Sequence, residues 1–168
     1  MPRHSSEEAD VIAITDLSDQ YESELRYPDP HFKNFGGRSQ FFGPIRTLAV
    51  FEDNSLVRQA VEGPGQGHVL VISGGGSMRC ALVGGNLAAL AEQNGWAGIV
   101  VDGCVRDGEE LAAAQIGIRA RATHPRRSEK RGTGIFDTSL RFAGVTIDPG
   151  DWLYADCDGM VIASRALS

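Results

Sequence analysis

The sequence lacks the long apolar run that a membrane-spanning helix needs. Nowhere in its 168 residues is there a stretch approaching roughly 18 consecutive apolar positions. The opening residues, MPRHSSEEADVIAITD, contain no apolar core of a secretory leader. Cysteine is scarce. Cys80, Cys104 and Cys157 are odd in number and show no CxxC spacing, which argues against both a disulfide framework and a structural zinc site. These absences predict a cytoplasmic protein in a reducing compartment. Positive charge is also short: 16 Lys and Arg stand against 22 Asp and Glu, a net charge of −6, so partners bound through their phosphates, nucleic acid or membrane, are not expected. The one local exception, HPRRSEKR (124–131), reads as a solvated loop.

Glycine, by contrast, is abundant and clustered. The chain has 21 glycines, and SGGGS (73–77) and VGGN (83–86) hold several of them. Glycine weakens helix and strand interiors, so such clusters mark turns where a backbone approaches another backbone or a ligand. Hydrophobic content of 42% and charged content of 23% fit an ordinary globular protein, and the length predicts one domain over 1–168.

The pattern along the chain is alternating. Residues 14–25 read as a short helix with Thr15 as its cap, and 27–44 as an ordered loop rich in Pro, Gly and aromatics. Residues 45–51 read as a strand and 53–62 as a capped helix. Strands over 68–73, 97–103 and 116–123 are then separated by helices over 84–95 and 106–115. Strands alternating with helices of this length predict an α/β fold with parallel crossovers. VLVI and GIVV are apolar throughout, as strands covered on both faces must be. Beyond residue 123 the pattern changes, and 140–164 reads as a set of short β elements with turns at DPGD and CDG.

Ligands of parallel α/β sheets sit beyond the carboxyl ends of the strands. Two such ends carry unusual residues, SGGGSMRCALVGGN and GCVRDGEE. If the strands are neighbours, both converge on one crevice. Gly84 and Gly85 precede a helix whose first N–H groups suit a small carboxylate. Arg106 could fork onto the same anion or hold an enolate oxygen. Asp107 offers a hard oxygen to Mg²⁺ or Mn²⁺, and Glu110, on the same helical face, could hold a metal-bound water. Cys80 and Cys104 read as small buried hydrophobes, and His124, before a proline, as a loop residue. Residue chemistry leaves a structural Arg106–Asp107 ion pair open beside a small-anion site with a divalent metal. It names no reaction.

The blocks FGGRSQFFGPIRTLAVFEDNSLV (35–57), VLVISGGGSMRCALVGGNLAALAEQNGWAGIVVDGCVRD (69–107), IGIRA (116–120) and FAGVTIDPGDWLYADCDGMVI (142–162) resemble the RraA-like family. That family comprises ribonuclease activity regulator A proteins and class II 4-hydroxy-4-methyl-2-oxoglutarate aldolases. The resemblance spans about residue 14 to residue 163, in order. It implies a three-layer α/β sandwich with a central sheet, β/β/α or α/β/α, like a phosphohistidine swivelling domain. Aldolase members carry Asp or Gly, twenty residues, then Arg-Asp, followed after two intervening residues by an acid when the first position is Gly. Gly85, Arg106, Asp107 and Glu110 match the glycine version.

By resemblance, Asp107 binds the divalent cation, Mg²⁺ or Mn²⁺, and Arg106 binds pyruvate and its enolate. Gly84, Gly85, Asn86 and Leu87 supply backbone contacts to substrate, and Glu110 stands in for the acid missing at 85. The activity so implied is retro-aldol cleavage of 4-hydroxy-4-methyl-2-oxoglutarate to two pyruvates, with oxaloacetate decarboxylation as a side activity. Members form homotrimers, sometimes paired into hexamers, with the site near an interface. Longer aldolases carry a C-terminal extension that supplies an acid to a neighbour's site, whereas this chain stops at Ser168. The regulator members instead bind the endoribonuclease RNase E and lower its activity, their best-known type with Arg-Gln at the Arg-Asp position. A ribonuclease partner is therefore the alternative expectation. A third label given to relatives, demethylmenaquinone methyltransferase, finds no S-adenosylmethionine motif here.

Overall fold

The computed structural model describes residues 12–168. Residues 1–11, most of the stretch read above for a leader, lie outside the described residues. The chain begins with α1 (Ile14–Tyr21), a 3-10 turn (Glu22–Glu24), β1 (Leu25–Arg26), β2 (Lys33–Asn34) and β3 (Phe41–Ala49). Next come α2 (Ser55–Glu62), β4 (Val69–Ser73), β5 (Ala81–Val83), α3 (Gly85–Gln93) and β6 (Gly98–Val105). They are followed by α4 (Gly108–Ala113), β7 (Gly117–Thr123), β8 (Ile135–Phe136), β9 (Leu140–Phe142), β10 (Val145–Ile147), β11 (Trp152–Asp156) and β12 (Gly159–Ala163). Among the described residues no helix is long and apolar enough to cross a membrane.

The centre is parallel: β3 pairs β4, β4 pairs β6, and β6 pairs β7, with α2, α3 and α4 as the successive connections. Antiparallel strands extend both sides. β11 and β12 follow beyond β3, with β1 on β12, and β2 lies on β7, within one ten-stranded sheet.

Side-chain alternation divides the core in two. Leu70, Ile72, Ile99 and Val101 point to the face covered by Val57 and Val61 of α2, Leu87 of α3 and Leu111 of α4. Val69, Val71 and Val100 point to the other face, which Leu140, Phe142, Val145 and Ile147 of the β9–β10 hairpin cover. Helices α2, α3 and α4 therefore lie on one face and a small sheet on the other, so the three layers are β/β/α. Burial on both faces is why VLVI and GIVV show no polar alternation. A third cluster seats α1, through Ile14 and Leu17, against Tyr154 and Val161.

The structure departs from the sequence reading in four places. β3 starts at Phe41 rather than at 45, because β11 pairs with residues 41–44. Gly43 and Pro44 concealed that extension, since both residues signal breaks. The segment 27–44 accordingly contains β2 and the start of β3. Thr15 does not cap α1; Ala13 holds the cap position, and the Ile14 N–H donates to Asp156 Oδ2 at 2.9 Å. β5 and β8, three and two residues long, were too short to register as periodic patterns.

Candidate functional site

β5 places the two unusual strand ends side by side. It runs parallel to β6, with Ala81 opposite Cys104 and Val83 opposite Val105. The Arg106 N–H donates to the Val83 carbonyl at 2.9 Å, so the chain leaves both strands at one level. Asp107 then adopts φ 62° and ψ 52°, a left-handed conformation that Asp tolerates better than most residues with a Cβ. That turn starts α4 at Gly108 and sends the carboxylate back toward α3, where Asp107 Oδ2 accepts the Gly85 N–H at 2.9 Å.

The glycine pair makes room for this arrangement. A Cβ at Gly84 would sit 2.7 Å from Asp107 Oδ2, and one at Gly85 would overlap the Glu110 carboxylate. Glu110 thus occupies the space that a side chain at position 85 would fill. Because Asp107 engages the Gly85 N–H, that group is not free for a ligand, contrary to the sequence expectation. The N–H groups of Asn86 and Leu87 have no partner among the described residues. They are the open donors at this helix start.

Gly84, Asn86, Leu87, Arg106 and Asp107 line one crevice of about 220 Å³. Arg106 is half-buried and Asp107 exposed. They do not pair with each other: the Arg106 guanidinium meets only the Pro125 carbonyl, at 3.4 Å. Neither charge is therefore neutralised by the fold. Gly85 and Glu110 are not part of the crevice wall; Gly85 is tied to it through Asp107, and Glu110 packs against Gly85.

The segment 124–131 is exposed at most of its positions, as expected of a solvated loop, but it also reaches the site. Arg127, Ser128 and Lys130 belong to the crevice wall, together with Asn54, Ser55 and Arg58 of the α2 start. The physical reason is Asp53, which is buried. Its Oδ1 accepts the Ser55 N–H and hydroxyl, at 2.8 and 2.6 Å. Its Oδ2 accepts the N–H groups of Arg131 and Thr133 and the Thr133 hydroxyl. Burial works to raise the Asp53 pKa, but these donors outweigh it and hold the carboxyl well below the usual carboxylate range. The basic segment is thereby tied against α2. Its density of Arg and Lys was the available signal; its anchor, 78 residues away in sequence, was not visible.

Other candidates stand apart. Cys80 and Cys104 are buried, and burial pushes both thiols up, the opposite of the shift that activates a cysteine nucleophile. His124 Nδ1 accepts the Arg126 N–H at 3.1 Å and serves a turn. Asp156, Cys157 and Asp158 cluster at the β11–β12 turn, but the Asp156 oxygens already accept the N–H groups of Ile14 and Asp158. Asp107, in the crevice, and Glu110, against Gly85 outside its lining, present hard carboxylate oxygens without a salt-bridge partner among the described residues. This all-oxygen donor set fits Mg²⁺ or Mn²⁺, which take few protein carboxylates and retain water, better than zinc, whose sites are dominated by His and Cys.

Comparisons with known proteins place the whole chain. A protein of Alkalilimnicola ehrlichii, named provisionally as a 4-hydroxy-4-methyl-2-oxoglutarate aldolase, is 56% identical over 156 residues, covering 93% of this chain and 97% of its own. The solved structure of the RNA-processing inhibitor RraA from Thermus thermophilis is similar with a TM-score of 0.90 at 50% identity, covering 94% of this chain and 95% of its own. A structure from Geobacillus kaustophilus, named as an S-adenosylmethionine: 2-dimethylmenaquinone methyltransferase, gives 0.89 at 46% identity, covering 93% and 97%. The family profile described as RraA-like, Aldolase/RraA, matches residues 12–162. With a match over nearly all of the described residues and relatives this similar, the chain belongs to the RraA-like family.

Proposed function

We propose that the crevice is the active site of a divalent-metal-dependent lyase that cleaves 4-hydroxy-4-methyl-2-oxoglutarate to two molecules of pyruvate and also decarboxylates oxaloacetate. The observation that carries this reading is the exchange at Gly85: the Glu110 carboxylate fills the space of a side chain there, beside Asp107. Asp107 would hold the cation, with Glu110 supporting it. A bound divalent cation would act as a Lewis acid on the 2-oxo acid. Arg106, unpaired and half-buried, binds the 1-carboxylate or the 2-oxo oxygen and stabilises the negative charge that develops there. The free N–H groups of Asn86 and Leu87 orient the same end of the substrate. Loss of the C4 hydroxyl proton and cleavage of C3–C4 releases one pyruvate and leaves the second as its enolate, which takes up a proton at C3. Oxaloacetate gives the same enolate by losing CO₂. The family resemblance supports a homotrimer as the working assembly.

A second reading is a protein regulator that lowers the activity of an RNase E-type endoribonuclease. The name of the Thermus relative supports it, and the solved relatives weigh toward it more than toward the lyase, which the crevice residues favour. The methyltransferase name has no counterpart in the crevice, whose wall holds no aromatic side chain to stack a nucleoside.

One pair of assays separates the two. Pyruvate release is measured from both substrates with Mg²⁺ or Mn²⁺ and with a chelator, and RNA cleavage by an RNase E-type enzyme is measured with increasing protein. The lyase reading expects chelator-sensitive turnover, reduced about 10²–10³-fold in Arg106→Ala. Absent or metal-independent turnover, together with inhibition of cleavage, would replace it with the regulator.

A further inference from the structure

The crevice carries more positive charge than one carboxylate and its enolate require. Arg58, Arg106, Arg127 and Lys130 share its wall with a single acid, Asp107. The proposed reaction uses Arg106 and leaves the others unassigned.

Arg127 is held by its backbone. It bridges Ala81 in parallel register, and the Ala81 N–H donates to the neighbouring Arg126 carbonyl at 2.8 Å. Its position is thus fixed against β5, which leads directly into Gly84. Its guanidinium makes no ion pair among the described residues. Arg131, which is not part of the crevice wall, is paired with Glu129 at 2.9 Å. Arg58 holds only the exposed Glu62 one turn away, at 2.9 Å. A pair that exposed is weak enough to yield to a ligand carboxylate. A cation with a fixed backbone and no counter-ion, beside an arginine that can be re-aimed, suits a second anionic group on the ligand.

We propose that Arg127, assisted by Arg58, binds the distal carboxylate of a dicarboxylic 2-oxo acid, so that the crevice selects ligands anionic at both ends. The inference rests on the lyase reading for the placement of the first carboxylate at Arg106. Arg127 is a specificity residue: it touches the end of the substrate away from the bond that breaks.

The test compares two ligands that cannot be cleaved. 2-Oxoglutarate keeps both carboxylates of the proposed substrate but lacks its 4-hydroxyl and 4-methyl groups; 2-oxopentanoate has the same chain length without the distal carboxylate. Affinities are measured calorimetrically with Mg²⁺ on the wild-type protein, Arg127→Ala and Arg127→Lys, with thermal midpoints showing that the variants fold. Wild type is expected to prefer 2-oxoglutarate roughly five- to tenfold, the scale of a forked contact discounted for exposure. Arg127→Ala removes that preference and Arg127→Lys keeps part of it. Equal wild-type affinity for both ligands, no binding of either, or equal weakening of both in Arg127→Ala overturns the proposal. Pyruvate release from 4-hydroxy-4-methyl-2-oxoglutarate separates the two ideas. A protein that keeps the preference but releases no pyruvate loses the lyase reading and retains the anion point. One that cleaves this substrate with an unchanged KM in Arg127→Ala retains the lyase and loses the anion point.

Discussion

The backbone of Asp107 sits in the left-handed region, where a residue with a Cβ is roughly 1–2 kcal/mol worse off than in its ordinary conformations. Asp and Asn tolerate the region best, because a short polar side chain can bond locally. Asp107 does so by accepting the Gly85 N–H at the start of α3. The side chain therefore has a structural task and, in the proposed reaction, a metal-binding one. Substitution separates them. Asp107→Asn keeps the left-handed tolerance and an amide oxygen for the Gly85 N–H, and removes the charge. Its unfolding free energy in urea should stay within about 0.5 kcal/mol of wild type. Its Mg²⁺ affinity and pyruvate release should fall about a hundredfold. Asp107→Ala loses the acceptor as well, and should unfold about 1 kcal/mol more easily, the usual effect of a lost helix-start cap. Wild-type metal affinity in Asp107→Asn would remove Asp107 from the metal site.

Between elements, the starts of α3 and α4 act as one unit joined through Gly85 and Glu110. Gly85→Asp alone drives a side chain into the Glu110 carboxylate and sets two negative charges together, so it should destabilise the protein by about 1–3 kcal/mol. Glu110→Ala alone leaves the fold intact and weakens Mg²⁺ binding about tenfold. Combined, the two changes move the supporting acid from α4 to α3 and clear the Glu110 carboxylate from its space, leaving only the Cβ at 110, 2.8 Å away, to shift. The double variant should then regain metal affinity and lose the carboxylate clash and charge repulsion, giving a coupling energy above about 1 kcal/mol in a double-mutant cycle. Simple addition of the two single effects would mean that the two positions do not share one task. The spacing from Gly85 to Arg106 and Glu110 was legible in the sequence, as were β4 and β6, whose uniformly apolar runs announced burial on both faces. What escaped was short or interrupted. β5 has three residues, and its pairing with β6 is what sets Gly84 beside Arg106. The engagement of the Gly85 N–H by Asp107 depends on a backbone conformation that composition does not reveal.

At the scale of the whole chain, the crevice depends on contacts between segments far apart in sequence, and no local pattern could announce them. Asp53 is the clearest case: it ties the α2 start to Arg131 and Thr133, 78 and 80 residues away, and so holds Arg127 and Lys130 at the crevice. This tie should be visible as acid sensitivity. The folded-state pKa of Asp53 is depressed, with hydrogen bonds from Ser55, Arg131 and Thr133 overcoming the opposing effect of burial. A depressed carboxylate contributes stability that is fully present above its unfolded value, near 3.8, and that is lost as pH falls through the folded value. Asp53→Asn cannot accept from both segments, because its amide nitrogen is a donor. At neutral pH it should unfold about 2 kcal/mol or more below wild type, the scale of losing hydrogen bonds to a buried charge. The gap between the two proteins should be constant from about pH 8 to about pH 5 and close only in stronger acid, as wild-type Asp53 takes up its proton. Urea unfolding of both proteins across that range measures it. With the basic segment released, Asp53→Asn should also raise KM for a dicarboxylic substrate while 2-oxopentanoate binding changes little. A gap independent of pH, or one already closing near pH 6, would mean that the charge of Asp53 is not what holds the segment in place.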